Sequence, residues 1–121
     1  MTFEELMMVK QYDLPIKIII INNGFLGMVR QWQEIFNKRR YSYVDLEMSP
    51  DFIKLADAFG LDAHRIESVE DFTSTFTNYI TSDESIILDC RVKREENVLP
   101  MIPAGGTVSG MMGKKGVIGD E

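Results

Sequence analysis

Apolar positions change rhythm several times along the chain. Phe3, Leu6 and Met7 recur at helical spacing behind Thr2-Phe3-Glu4-Glu5, which reads as a capping box, and Pro15 closes that helix at the preceding residues. Ile16 to Ile21 reads as the first strand, and its four successive isoleucines, Ile18 to Ile21, show no alternation, which predicts a parallel strand covered by helices on both faces. Met28, Val29, Trp32, Ile35 and Phe36 then fall on one helical stripe. After a polar connection, Ser49-Pro50 reads as a cap with proline at the first helical position. Phe52, Ile53, Leu55, Ala56 and Phe59 form the helix, and Gly60 stops it. A strand at 63–67, a helix capped at Ser68 with Phe72, Phe76 and Tyr79, and a strand at 86–91 complete the pattern. Strands alternating with helices predict the α/β class, a parallel sheet with helices on both faces. Beyond Lys93 the rhythm fails, and glycines and prolines mark an extended arm and a loose tail. The expected division is therefore 1–96 as the folded domain and 97–121 as arm and tail.

The bulk properties narrow the function classes. A length of 121 residues suits one domain, and a net charge of −6 argues against a nucleic-acid partner, which needs a concentrated basic surface. No stretch approaches the roughly twenty apolar residues of a membrane helix, and the N-terminus has no secretion-signal pattern. With Cys90 as the single cysteine there is no internal disulfide, and its apolar neighbours favour inert packing. The expectation is a soluble, cytoplasmic chain without membrane or nucleic-acid partners. His64 reads as structural, Lys93-Arg94-Glu95-Glu96 as a solvated charge run, and the "GMMGKKGVIG" tail lacks the strand-to-helix setting of a phosphate loop.

The candidate chemistry lies where the isoleucine run ends. In an open parallel sheet, ligands bind beyond the carboxyl ends of the strands, and Asn22 and Asn23 stand there. An amide oxygen is a neutral hard ligand suited to Mg²⁺, but asparagine also serves tight turns by bonding its own backbone. On residue types alone the two readings stand level. A magnesium ion would in any case need a carboxylate and phosphate oxygens from elsewhere.

Four blocks in order, "INNGFLGMVRQWQEIF", "RRYS", "SPDFIKLADAFGL" and "REENVLPMIPAGG", resemble the C-terminal part of the large, catalytic subunit of acetolactate synthase (acetohydroxyacid synthase). The resemblance runs from Met1 to about Met112. It implies a thiamine-diphosphate enzyme that joins two 2-oxoacids, pyruvate with pyruvate or 2-oxobutyrate, with loss of CO₂, the first step of branched-chain amino acid synthesis. It places Asn23 and the backbone carbonyl of Phe25 on Mg²⁺, which holds the cofactor's diphosphate. Gly24, Leu26 and Gly27 complete the cofactor segment, and Met28 supports its rings. Trp32 and Val29 border the substrate channel, Trp32 at the position that contacts herbicides. Arg30, Gln31 and the segment 38–43 match a closing loop, and 98–103 an arm that folds back.

The resemblance also implies parts not found in this chain. A Gly-Asp-Gly motif, whose aspartate is the charged metal ligand, would fall just before Met1. The glutamate that activates the cofactor and the FAD-binding domain are absent as well, so the chain holds no catalytic residue. The expectation is part of a thiamine-diphosphate-binding domain lacking its N-terminal portion, inactive alone, with an exposed sheet edge and apolar face. Its partners would be the rest of the large subunit, a homodimeric or larger assembly, and a small regulatory subunit. A non-catalytic interaction remnant of such an enzyme is the competing reading.

Overall fold

The computed structural model describes residues 2–46, 48–113 and 116–117. The remainder of the glycine-rich tail lies outside the described residues. The chain forms two compact units, Met1–Phe25 with Leu46–Arg94, and Leu26–Asp45 with Glu95–Glu121.

The first unit contains the sheet. Strands β1 (Lys17–Asn22), β2 (Asp62–Ile66) and β3 (Ile86–Arg91) are all parallel, in the order β1-β3-β2. Register pairs Ile20 with Asp89 and Asn22 with Arg91 on one side, and Arg65 with Asp89 on the other. Helices cover both faces, as the alternation of periods implies. On one face α1 (Leu6–Gln11) and α3 (Phe52–Ala58) bury Val9, Ala56, Leu61 and Ile87 against Ile18 and Ile20. On the other, α4 (Val69–Ile80) brings Phe72, Phe76 and Tyr79 onto Ile66, Ile86, Leu88 and Cys90. Central β3 carries the deepest burial, because it alone has a strand on each side.

Several local expectations are corrected. β1 begins and ends one residue later than the expected 16–21, so Asn22 is inside the strand. Its cover is one-sided. Ile18 and Ile20 pack inward, whereas Ile19 is 39% and Ile21 69% exposed. The continuous isoleucines therefore do not report burial on both faces within this chain; an apolar face stays open, as expected of a partial domain. Thr2 makes no side-chain cap, and its region opens with a 3-10 turn at Phe3–Glu5 instead of a capping box. Ser49-Pro50 does not start α3; Asp51 does, accepting from the amides of Ile53 (3.0 Å) and Lys54 (3.4 Å). One Asp51 carboxylate oxygen, one residue before the first apolar position, thus serves two orphan donors at once. Ser68 caps α4 as expected, accepting from Asp71 N at 3.0 Å, and Gly60 ends the α3 turn at φ +68°.

The second unit contains α2 (Gly27–Phe36) and the arm. The helix falls where its stripe predicts, but its burial is inverted. Arg30 and Gln31 are buried, while Met28, Val29, Trp32 and Phe36 are exposed. Arg30 pairs with Glu34 at 2.5 Å and lies beside the Tyr41 ring, and Asn97 donates to Glu34 at 3.2 Å. Within the arm Met101 and Met112 exchange backbone hydrogen bonds of 3.0 and 2.8 Å, and a two-residue strand, Met112–Gly113, pairs antiparallel with Gly116–Val117.

Candidate cofactor site at the carboxyl end of the sheet

At the end of β1 the chain must leave a ladder and turn sharply. Both asparagine side chains serve that turn. Asn22 Oδ1 accepts from Gly24 N at 3.0 Å, and Asn23 Oδ1 accepts from Phe25 N at 3.1 Å. Gly24 adopts φ +71°, the left-handed region that a side chain disfavours. Two successive Asx turns thus deliver the Asn23-Gly24-Phe25 backbone at the sheet's carboxyl edge. Leu46 N donates to Gly24 O at 2.8 Å and fixes the turn from the side.

A cavity of about 290 Å³ opens beside the turn, bordered by Asn22, Asn23, Gly24, Ser49, Arg91 and Arg94. Two arginines and two amides give it a cationic, hydrogen-bonding wall suited to an anion. A second cavity of about 230 Å³ lies at the amino ends of the strands and carries Asp13, Asp62, Asp83 and Glu84. Its carboxylates and its place at the wrong end of a parallel sheet set it apart from an anion site.

Two contributors escape the sequence reading. Arg94, read there as part of a solvated charge run, stacks over the Phe25 ring with its guanidinium carbon 4.5 Å from the centroid. A side chain at Gly24 would meet it, since a Cβ there would lie 3.8 Å from the guanidinium. Asp89 is fully buried in β3. Its Oδ1 accepts from Asn22 Nδ2 at 2.8 Å, and its Oδ2 faces Arg91 at 3.1 Å and Arg65 at 3.6 Å. Its one legible signal was a charged residue inside the otherwise apolar run "SIILDCRV". Neighbouring Cys90 is buried, and desolvation, with the Asp89 charge behind it, pushes its thiol above the ordinary range. Such a thiol is a packing group, in agreement with the sequence reading.

Of the residues the sequence points to, Asn23, Gly24 and Phe25 lie in the first unit and the first two border the cavity. Leu26, Gly27, Met28, Val29 and Trp32 belong to the second unit, where Leu26 precedes α2 and accepts the hydrogen bond of Arg30 N. Among the described residues no group of three His, Cys, Asp or Glu side chains could hold a metal. None of the helices among them is long and apolar enough to cross a membrane.

With the parallel sheet and its terminal turn established, the class follows from comparison. Residues 1–90 match the family model of the thiamine pyrophosphate enzyme, C-terminal TPP binding domain, and the chain belongs to that family. Within it, the chain is similar to acetolactate synthases. It is 44% identical over 114 residues to the acetolactate synthase large subunit of Pyropia yezoensis, covering 93% of this chain and 19% of that one. It is 39% identical over 114 residues to the isozyme 2 large subunit of Escherichia coli K12, covering 94% of this chain and 21% of the relative. The chain thus spans about a fifth of the length of these relatives. A thiamine diphosphate-dependent 4-hydroxybenzoylformate decarboxylase from Rhodococcus jostii RHA1 superposes with a TM-score of 0.70 at 29% identity, over 78% of this chain and 18% of that one. A benzoylformate decarboxylase from Polynucleobacter necessarius shares the fold at TM-score 0.69 and 15% identity, over 81% of this chain and 18% of its own.

Proposed function

We propose that this chain is the C-terminal cofactor-binding part of an acetolactate synthase large subunit, an enzyme condensing pyruvate with pyruvate or 2-oxobutyrate with loss of CO₂. The observation that carries the reading is the Asn22–Phe25 turn, set at the carboxyl end of a parallel sheet and beside a cationic cavity.

The donor set fits the neutral half of a magnesium site. The Asn23 amide oxygen gives one lone pair to Phe25 N and retains a second. Asn23 Oδ1 and the Phe25 carbonyl would hold Mg²⁺, and Mg²⁺ would hold the diphosphate, with the carboxylate ligand supplied by another part of the enzyme. Thiamine, when bound, supplies the electron sink for decarboxylation. The residues of this chain bind and orient. Arg91 and Arg94 place positive charge on the cavity wall, and the rigid turn limits the freedom of the two oxygens. The resemblance assigns Met28 to the cofactor's rings and Val29 and Trp32 to the substrate channel; all three are exposed on α2. FAD would bind outside this chain. The rest of the large subunit, a homodimeric partner and a small regulatory subunit complete the expected assembly, in the cytoplasm, for branched-chain amino acid synthesis.

The test is a chimera in which this chain replaces the matching region of the E. coli isozyme 2 large subunit. The expected result is acetolactate formation from pyruvate that depends on Mg²⁺ and thiamine diphosphate, with weaker cofactor binding in Asn23→Ala. The chain by itself is expected to form none. A second reading, an interaction module without cofactor, draws on the open apolar cavity of about 540 Å³ lined by Ile19, Ile21, Phe72 and Val92. A chimera that assembles but binds no thiamine diphosphate would favour it.

A further inference from the structure

We propose that Asp89 is the positioning residue of the Asn22–Phe25 turn, acting through the Asn22 amide. The proposal rests on the cofactor reading for its functional meaning, and on geometry alone for its mechanism.

A carboxylate inside the central strand of an apolar sheet is costly to bury and needs partners. Asp89 is 0% exposed, and its two oxygens divide their work. Oδ2 faces the guanidiniums of Arg91 and Arg65 without the geometry of a hydrogen bond to either, so the arginines offset its charge. Oδ1 takes the directional bond, 2.8 Å from Asn22 Nδ2. Arg65 in turn reaches Asp51, the cap of α3, at 3.5 Å, which ties the same charge network to the neighbouring helix.

The chemistry of the pair fixes an orientation. An amide side chain can be turned over, exchanging its oxygen and nitrogen at small cost in shape. An ionised carboxylate only accepts, so it selects the orientation in which NH₂ faces Asp89. The amide oxygen must then face the other way, where it meets Gly24 N at 3.0 Å. Turned over, the amide would set NH₂ against N–H at Gly24 and oxygen against oxygen at Asp89. Asp89 therefore determines where the Gly24 peptide sits, and Gly24 is the hinge between Asn23 and Phe25, whose oxygens are the candidate metal ligands.

Nuclear magnetic resonance on the 121-residue chain tests the anchor without any ligand. In the unmutated chain the Asn22 Nδ2 protons are expected to exchange with solvent at least about tenfold more slowly than those of exposed Asn37. Equal exchange would overturn the proposal, and this reading holds even if a variant fails to fold. In Asp89→Ala the Gly24 amide is expected to exchange about tenfold faster, beyond any change shared by the core amides of β3. Asp89→Asn keeps an acceptor oxygen for Asn22 Nδ2 and is expected to stay within about twofold of the unmutated chain. The exchange Asn22→Asp with Asp89→Asn reverses donor and acceptor and is expected to keep Gly24 protection, because the carboxylate at position 22 still accepts from Gly24 N. Loss in Asp89→Asn equal to that in Asp89→Ala would overturn the directional role. In the chimera, calorimetry with thiamine diphosphate and Mg²⁺ is expected to show weaker binding for Asp89→Ala and rescue by Asp89→Asn. A chimera that binds no cofactor, while Gly24 exchange still follows Asp89, would remove the cofactor reading and leave the anchor standing.

Discussion

Gln31 and Val98 exchange two hydrogen bonds, the side-chain Nε2 donating to Val98 O at 3.0 Å and Oε1 accepting from Val98 N at 2.7 Å. One amide side chain thus imitates a strand neighbour and holds the arm on α2, with Met101 Sδ a further 3.0 Å contact to the same nitrogen. Gln31 is 1% exposed, so its loss leaves a backbone donor and acceptor without their partner. Gln31→Ala is expected to cost about 1–3 kcal/mol locally. Hydrogen exchange at the Val98 amide, faster in the variant while β3 amides are unchanged, checks it.

The two sides of β1 and the centre of β3 should respond differently to substitution. Leu88 is fully buried between the flanking strands and beneath α4, and Leu88→Ala is expected to destabilise by about 2–5 kcal/mol. Ile21 faces outward, and Ile21→Lys is expected to change stability by no more than about 0.5 kcal/mol. Urea unfolding of both variants provides the comparison, with the slope m checked for constancy.

Acid should loosen α3 through its cap. Asp51 is held below the ordinary carboxylate pKa, chiefly by the hydrogen bond from Lys54 N; desolvation opposes this, and the bond from Ile53 N and the charges of Arg65 and Lys54 add to the lowering. A depressed folded-state pKa means that the unfolded chain binds the proton more readily. The stabilisation is therefore present above the ordinary carboxylate range and lost as pH falls through the folded value. Thermal melts of the chain and of Asp51→Ala are expected to converge as pH is lowered below that range, having differed at neutrality.

How much of this could be read from residues alone depended on whether the deciding partner was near in sequence. The three strands, α4 with its Ser68 cap, and the Gly60 stop follow from local spacing and turn chemistry, and the structure has them within a residue. The cover of β1 did not, because an unbroken run of isoleucines says nothing of which helices reach it. The stripe of α2 fixed the helix but not its buried side, since Arg30 and Gln31 find partners, Asn97 and Val98, in the distant arm. The amide pair was visible as a turn or ligand signal, and it does form the turn. Asp89, 67 residues from Asn22, could be connected to that turn only by the register of β1 on β3.

Burial also separates Cys90 from a reactive thiol. Its pKa is raised, so little thiolate is present at neutral pH, and the side chain packs under α4. Reaction with a disulfide reagent in native buffer is expected to be at least roughly tenfold slower than in denaturant. Equal rates would mean that this part of β3 opens freely.

Two glycines in the left-handed region separate a folding requirement from a site requirement. Gly24 stands at φ +71° and Gly60 at φ +68°. At neither does space forbid a methyl group: a Cβ at Gly24 lies 3.8 Å from the Arg94 guanidinium, and one at Gly60 lies 3.4 Å from the mobile end of Lys10. The strain in alanine is thus conformational at both, about 1–2 kcal/mol. Gly24→Ala and Gly60→Ala are expected to lower unfolding stability by similar amounts. Their effects on ligand should part. At Gly60 the backbone only ends a helix, whereas at Gly24 relief of the strain must rotate the peptides carrying Asn23 and Phe25. In the chimera, Gly24→Ala is therefore expected to weaken Mg²⁺–thiamine diphosphate binding beyond the loss in Gly60→Ala. Gly24→Asn, which tolerates the left-handed region better, should fall between Gly24→Ala and the unmutated chimera. Equal cofactor affinity in Gly24→Ala and Gly60→Ala would mean that the turn is a connector, with no bearing on the metal.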